Sequence, residues 1–184
     1  MLLRPSAIVV ACAALAAGCG TADGERDTPA ATAAPQASSS ASVARLADAR
    51  RAVRTAERKL RHGRAYDIES DRLRGQRVWE VKVARGTTHA SVLDVRADGR
   101  RVVRQRRTKV SDDVRKAAGA KVSLNRALKT AGARAAGGRF DEAEIDRWRG
   151  KLVWEATFKR SGDREVEVKI DARSGKVLDV SQDD

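Results

Sequence analysis

One stretch of this chain occurs twice. Gly75–Val81 reads Gly-Gln-Arg-Val-Trp-Glu-Val, and Gly150–Ala156 reads Gly-Lys-Leu-Val-Trp-Glu-Ala, at a displacement of 75 positions. The same displacement carries Asp71-Arg72 onto Asp146-Arg147 without a gap. A self-match of this length that includes a tryptophan is not expected by chance. The fold must therefore be derived for each repeat and not for the whole length.

Residues 1–18 have the pattern of an export signal. Arg4 precedes an apolar run from Ala7 to Ala17. This run is far shorter than the roughly 20 residues that a membrane-spanning helix requires. The pattern therefore predicts a signal peptide and not a membrane anchor.

Cys19 is the expected site of lipid attachment. It follows Leu15-Ala16-Ala17-Gly18, which resembles the lipobox of bacterial lipoproteins, where the cysteine is acylated and becomes the new N-terminus. Cys12 would be removed with the signal, so no intrachain disulfide can form. The resemblance implies a chain anchored at the extracytoplasmic face of the cell membrane. Cleavage after small residues to give a free secreted protein is the alternative.

The segment 19–42 contains this cysteine followed by Ala, Thr, Ser, Pro and Gly without hydrophobic periodicity. Such a composition buries too little apolar surface to order itself, so we expect a flexible linker.

Each repeat has the pattern of one helix followed by short strands. In repeat 1 (43–107), Leu46, Val53 and Leu60 belong to an apolar stripe with helical spacing. Alternating segments with turn signals follow it, as expected for antiparallel strands. Repeat 2 (122–184) shows the same order, and 108–121 connects the two. The predicted class is α+β, with each helix packed on a small antiparallel sheet of about four strands.

The strands carry a motif that resembles the PepSY domain. In repeat 2 it consists of Gly150–Glu155 and the later Asp-Ala-Arg-Ser-Gly-Lys-Val of Asp171–Val177. The corresponding segment of repeat 1, Asp94–Val102, has a different spacing around its turn. The signature positions are Gly75, Val78, Trp79, Glu80, Gly150, Val153, Trp154, Glu155, Asp171 and Gly175.

The resemblance implies a function without catalysis. PepSY domains occur in propeptides of thermolysin-like metallopeptidases and in exported bacterial proteins, and they are thought to restrain peptidases or regulate activity near the cell surface. No catalytic or cofactor-binding residues come with the domain, so we expect no enzyme activity and no cofactor.

The residues themselves give no firm catalytic or metal site. His62 and His89 lie outside any His-Glu-x-x-His pattern, and no cysteine cluster or Gly-x-Ser-x-Gly elbow occurs. The acidic runs 67–71 and 141–146 could suggest calcium. Residues two apart on a strand share one face, however, and the glycine and terminal glutamate of an EF-hand loop are missing. A solvated polar face is therefore the preferred interpretation.

The positive charge is concentrated in repeat 1. Residues 43–107 contain 19 basic and 8 acidic residues, against 17 and 14 for 108–184. Arg101, Arg104 and Arg106 lie in the densest part and are candidate contacts for a polyanion or a partner. Trp148, which alternates with acidic neighbours, is a candidate anchor for a partner protein.

Two functions follow as hypotheses. The leading one is a non-enzymatic surface lipoprotein that binds and modulates an exported peptidase or another envelope protein. The alternative is an envelope-polyanion binder, with teichoic acid or anionic lipid as the ligand. Nucleic acid is not an expected partner because the chain is exported.

Overall fold

The computed structural model describes residues 36–135, 137–162 and 164–183. The expected signal peptide, Cys19 and the linker up to residue 35 lie outside the described residues.

The described chain has a mixed α+β fold, as predicted. The three helices are α1 (Gln36–Lys59), α2 (Asp112–Gly119) and α3 (Leu124–Gly132). The eight strands are β1 (Arg64–Leu73), β2 (Gln76–Arg85), β3 (His89–Arg96), β4 (Val102–Thr108), β5 (Arg139–Trp148), β6 (Lys151–Lys159), β7 (Glu165–Asp171) and β8 (Val177–Asp183).

All eight strands belong to one antiparallel sheet with the order β4-β3-β2-β1-β5-β6-β7-β8. The expectation of two separate four-stranded sheets is corrected by this continuity. The two sets of strands join where Ile68 of β1 pairs with Ala143 of β5. This pairing covers two strands that would otherwise expose backbone hydrogen-bonding groups at sheet edges.

The two sets of strands have the same register at a spacing of 75 residues. Irregularities fall at the following four places: Ala65/Asp67 in β1, Phe140/Glu142 in β5, Asp94/Val95 in β3 and Lys169/Ile170 in β7. The two sets of strands therefore correspond irregularity by irregularity.

The core lies between one face of the sheet and helices α1 and α3. Trp79 and Trp154 occupy core-facing strand positions and are 1% and 0% exposed. Each indole nitrogen donates to a backbone carbonyl, of Ala97 and Val122 respectively, at 3.0 Å. These bonds satisfy the only polar group of each buried ring.

Helix α1 packs across the join between the two sets of strands. The Arg45 guanidinium lies 5.0 Å from the ring centroid of Trp79, and its Nε donates to the carbonyl of Phe140 at 2.9 Å. Arg50 Nε donates to Asn125 Oδ1 of α3 at 3.0 Å. Burial is the main cause that lowers the pKa of Arg45 to about 10. These contacts hold the described chain together as one packed unit.

Two helical segments lie where the sequence predicted none. Helix α1 begins at Gln36, within the expected linker, because the Ala/Ser-rich segment after Pro35 contains no helix breaker and extending an existing helix adds one hydrogen bond per residue. Helix α2 lies within the expected connector, where Val114 and Ala117 are buried. Its burial supplies the stabilisation that so short a helix lacks alone.

Candidate functional site

The face of the sheet opposite α1 and α3, called here the second face, carries a row of carboxylates at its centre. Asp67 and Glu69 of β1 alternate with the core residue Ile68. In the pairing of the two central strands, Asp67 lies opposite Glu144 and Glu69 lies opposite Glu142. We call these four residues the central carboxylates. Like charges directly opposite each other on neighbouring strands destabilise a sheet.

Partial burial and repulsion from neighbouring carboxylates raise the pKa of three of these groups, Asp67, Glu142 and Glu144. Burial is the largest cause that raises the pKa of Asp67, Glu142 and Glu144. Repulsion from neighbouring carboxylates adds to the effect, including that of Glu69 on the pKa of Glu142. For Asp67, a hydrogen bond from Lys82 offsets part of the shift. The negative charges at the centre of the second face therefore lower the stability of the sheet, although the protein as a whole is basic.

We expect Glu144→Gln to stabilise the protein at neutral pH. The substitution removes one of two facing charges and keeps the shape of the side chain, so the free energy of unfolding should rise by about 0.5–1 kcal/mol. Urea denaturation at pH 7 measures this change. Glu165→Gln, at the start of β7, serves as the control and should change the stability less.

The same groups predict the pH dependence of stability. Because the folded state raises the pKa of Asp67, Glu142 and Glu144, it binds more protons than the unfolded state as the pH falls from 7 toward the ordinary carboxyl range. The stability should therefore increase on moving from pH 7 to about 5. Glu144→Gln should reduce this increase. A decrease in stability over that interval would contradict the assignment.

Cations from neighbouring elements surround the central carboxylates. Lys82 Nζ lies 2.8 Å from Asp67 Oδ2, and Lys116 Nζ of α2 lies 2.7 Å from Asp146 Oδ1. Lys169, which is 9% exposed, pairs with Glu155 at 3.3 Å. The second face thus has an acidic centre with basic side chains on either side.

The three arginines proposed from the sequence do not act alike. Arg104 pairs with Asp94, and Arg106 Nη2 lies 2.6 Å from Glu80 Oε2. Asp94 and Glu80 are only 1% and 6% exposed, so each arginine compensates a buried charge. Arg101 is exposed and forms no ion pair with any described residue. Its side chain is therefore accessible to an external ligand.

Trp148 lies at the end of β5, on the same face as Glu144. Its side chain is half-buried, and the Arg149 guanidinium lies 4.4 Å from the ring centroid. This contact covers part of the aromatic surface. The candidate anchor is therefore only partly exposed. Arg149 covers part of the ring, and the rest is accessible to a partner.

A second surface is a groove between α1 and β4, called here the α1–β4 groove. Its charged lining is basic. The residues that line it are Thr55, Arg58, Lys59, Arg100, Arg101, Val102, Val103, Arg104 and Gln105. Apart from Arg104, these cations form no ion pair with the described residues. The groove is therefore an uncompensated positive surface at one edge of the sheet.

The remaining signature residues have structural positions. Gly75 and Gly150 follow Arg74 and Arg149 in two hairpin turns, and all four have positive φ. This backbone is the type I′ turn that fits the twist of a two-residue hairpin. Val78 and Val153 are buried on the second face.

The turn before β8 depends on the other two signature positions. Asp171 Oδ1 accepts hydrogen bonds from the backbone of Arg173 and Ser174, and the bond from Ser174 is the largest cause that lowers its pKa. Gly175 has φ +78°. The signature therefore encodes turns and core packing.

The described residues contain no group of three His, Cys, Asp or Glu side chains arranged to hold a metal ion. His62 lies in the turn after α1 with φ 62°, and His89 Nδ1 contacts the hydroxyl of Thr88. None of the helices in the described residues has the length and apolar character that a membrane span requires.

Sequence reasoning missed the two most unusual charged positions. The sequence did not single out Arg45, which lies against Trp79. It did not single out Asp94 either, which is buried and pairs with Arg104. Only the pairing of distant strands shows that the acidic runs of β1 and β5 lie side by side.

Comparison with known proteins identifies a PepSY domain in this chain. Residues 121–181 match the family described as "Peptidase propeptide and YPEB domain". The match covers α3 and strands β5–β7, with most of β8. No curated protein matches the chain.

Two solved structures are similar over much of their length. A candidate lipoprotein from Clostridium difficile 630 has 17% identity and a TM-score of 0.41, covering 72% of this chain and 90% of its own. The YpmB protein from Bacillus subtilis has 17% identity and a TM-score of 0.33, covering 72% and 95%. These similarities are too distant to carry functional information.

Proposed function

We propose that this chain is a non-enzymatic surface lipoprotein with two PepSY-like units, 43–107 and 122–184, that bind and modulate an exported peptidase or another envelope protein. The PepSY domain at 121–181 supports the second unit. The first unit is supported by the matching strand register at a spacing of 75 residues. PepSY domains are regulatory modules of propeptides, which favours binding over catalysis.

The row of central carboxylates is the observation that carries this proposal. Facing Asp67/Glu144 and Glu69/Glu142 pairs destabilise the sheet at its centre, where uncharged residues would pair better. Stability is commonly sacrificed at functional surfaces. A basic surface of a partner protein would neutralise these charges on binding. Trp148, on the same face, would then supply a nearby aromatic contact.

A pull-down from envelope extracts tests the proposal. The full chain should retain a protein partner, and Glu142→Gln/Glu144→Gln should lose most of it. The control Asp98→Asn/Asp112→Asn removes the same charge from exposed carboxylates elsewhere and should retain the partner. Repeated recovery of no protein, with unchanged secreted proteolysis in a deletion strain, would refute the proposal.

Lipid attachment at Cys19 predicts a membrane-bound protein. Labelled palmitate should be incorporated into the wild-type chain and not into Cys19→Ala, which should appear in the medium or the soluble fraction. Two acyl chains give stable anchoring because each buried methylene contributes about 0.8 kcal/mol. Equal labelling of both proteins would show that another residue carries the lipid. Absence of label from both would favour a free secreted protein.

Binding of an envelope polyanion is the second candidate function, and the basic α1–β4 groove favours it. Retention on teichoic acid or anionic vesicles should then fall steeply as the salt concentration rises. It should also fall in Arg101→Gln. The ion pairs of Arg104 and Arg106 within the sheet make those two residues weaker contributors than the sequence suggested.

A further inference from the structure

Strand β4 is a free edge of the sheet. It pairs with β3 on one side, and no described strand pairs with its other side. All residues from Val103 to Thr108 are exposed. An edge of this kind presents unpaired backbone donors and acceptors to another extended chain.

Two of the three arginines of β4 are held over the sheet and do not block this edge, and only Arg107, near its end, forms no ion pair with the described residues. Arg104 and Arg106 point to the second face, where they pair with Asp94 and Glu80. The strand contains no proline, and its bulge lies at the end opposite Val95. The rest of β4 is therefore open to pairing, although edge strands are normally protected by charges, bulges or proline.

The α1–β4 groove runs beside this edge and carries unpaired positive charge. Arg58 and Lys59 lie on its helix wall, and Arg100 and Arg101 lie at its start. No acidic side chain lines it. An extended segment that paired with β4 would place alternate side chains toward this groove. Acidic side chains at those positions would match its charge.

The far end of β4 borders a second cavity. Gln105 belongs to both the groove and this cavity, which combines apolar side chains such as Leu60 with the cations Arg85 and Arg107. Leu60 packs against the core only partly and leaves apolar surface exposed there. The surface is therefore suited to a segment with acidic residues along its length and an apolar residue at one end.

We propose that β4 and the α1–β4 groove bind an extended acidic segment of the partner protein, which joins the sheet as a ninth strand. This inference rests on the proposed protein-binding function and specifies the chemistry of the bound segment. Charge complementarity selects β4 over the other edge. Strand β8 contains Asp179 and no cation, so it would repel such a segment.

A synthetic peptide tests strand addition directly. The probe is a fluorescent seven-residue peptide of alternating glutamate and valine, which matches β4 in length. A second peptide carries N-methyl groups on alternate backbone nitrogens, which removes donors without changing the charge. Fluorescence anisotropy with the full chain should show binding of the first peptide and at least a roughly tenfold loss for the second, because main-chain hydrogen bonds give such complexes their affinity.

Matched variants locate the site. Lys59→Gln/Arg101→Gln removes two groove cations and should weaken binding about tenfold or more. Arg134→Gln/Lys176→Gln changes the residues 75 positions later, which are exposed and form no ion pair with the described residues. This control has the same net charge and should bind normally. Amides of β4 should gain hydrogen-exchange protection when the peptide is bound.

The outcomes separate the possible occupants. Equal binding of the N-methylated peptide, or equal loss in both double variants, would overturn strand addition in favour of nonspecific polyanion attraction. Concentration-dependent self-association that excludes the peptide would assign the edge to a second copy of the chain. If envelope pull-downs recover a partner while the peptide does not bind, this inference fails and the proposed function stands. Peptide binding without any recovered partner would refute the proposed function instead.

Discussion

Replacing Trp154 with alanine should lower the free energy of unfolding by about 3–5 kcal/mol. The side chain is 0% exposed and lies between Ile145 and Ile170 on the neighbouring strands. Truncation would leave a cavity and would also leave the Val122 carbonyl without its indole donor. Urea denaturation followed by circular dichroism measures the loss.

Trp148→Ala is the control for this prediction. The same residue type is removed, but this ring is only half-buried and packs against an arginine, so the change should stay near 1 kcal/mol or below. Both variants should unfold in one transition, because the β1–β5 pairing joins the two sets of strands in one sheet. Comparable losses for both tryptophans would contradict the core assignment.

Gly99→Ala should destabilise the protein by about 2–4 kcal/mol. Gly99 lies in the β3–β4 turn with φ +71°, and an added Cβ would lie 2.3 Å from the Asp48 carbonyl oxygen of α1. The turn and helix meet closely there, since the Thr55 hydroxyl donates to the Gly99 carbonyl at 2.8 Å. The helix would have to move away from β4.

Gly86→Ala separates the close contact from the backbone strain. Gly86 has φ +64°, but an added Cβ would meet no atom within 4 Å. Its substitution should cost about 1 kcal/mol from the left-handed backbone alone. Thermal unfolding of the two variants therefore measures how tightly α1 docks on the β3–β4 turn. Equal losses would show that the docking contributes nothing.

The sequence predicted those parts of the fold that depend on local patterns. The apolar stripe of α3 is buried as expected, and the Ser123 side chain caps that helix by accepting from the Arg126 amide. Trp79 and Trp154 lie in the core because period-two alternation fixes which face of a strand is buried.

The parts that depend on long-range pairing could not be predicted. Nothing near Ile68 or Ala143 specifies that β1 pairs with β5, so the single sheet was missed. Helix α2 has only two buried apolar positions, Val114 and Ala117, although Ser111 at its N-cap and two aspartates in its first turn are start signals. Eight residues are too few for a clear helical period.

The candidate surfaces show the same limit. The density of arginines near β4 was visible in the sequence, but the difference between Arg101 and the paired Arg104 and Arg106 depends on Asp94 and Glu80 in neighbouring strands. The central carboxylates were visible as two separate acidic runs. The structure adds that they lie opposite each other across the β1–β5 pair. This arrangement destabilises the sheet and suggests that the carboxylates bind a partner.

Photo-crosslinking in the native envelope tests the central proposal most directly. A photoreactive amino acid would replace Thr157, which lies opposite Glu142 on β6 and leaves the central carboxylates intact, and Arg134 after α3 would serve as the control position. We expect position 157 of the anchored chain to capture the same exported protein repeatedly, as identified by mass spectrometry, and position 134 to capture little. Failure of position 157 to capture any protein, or the same adducts from both positions, would contradict a protein-binding role for the second face.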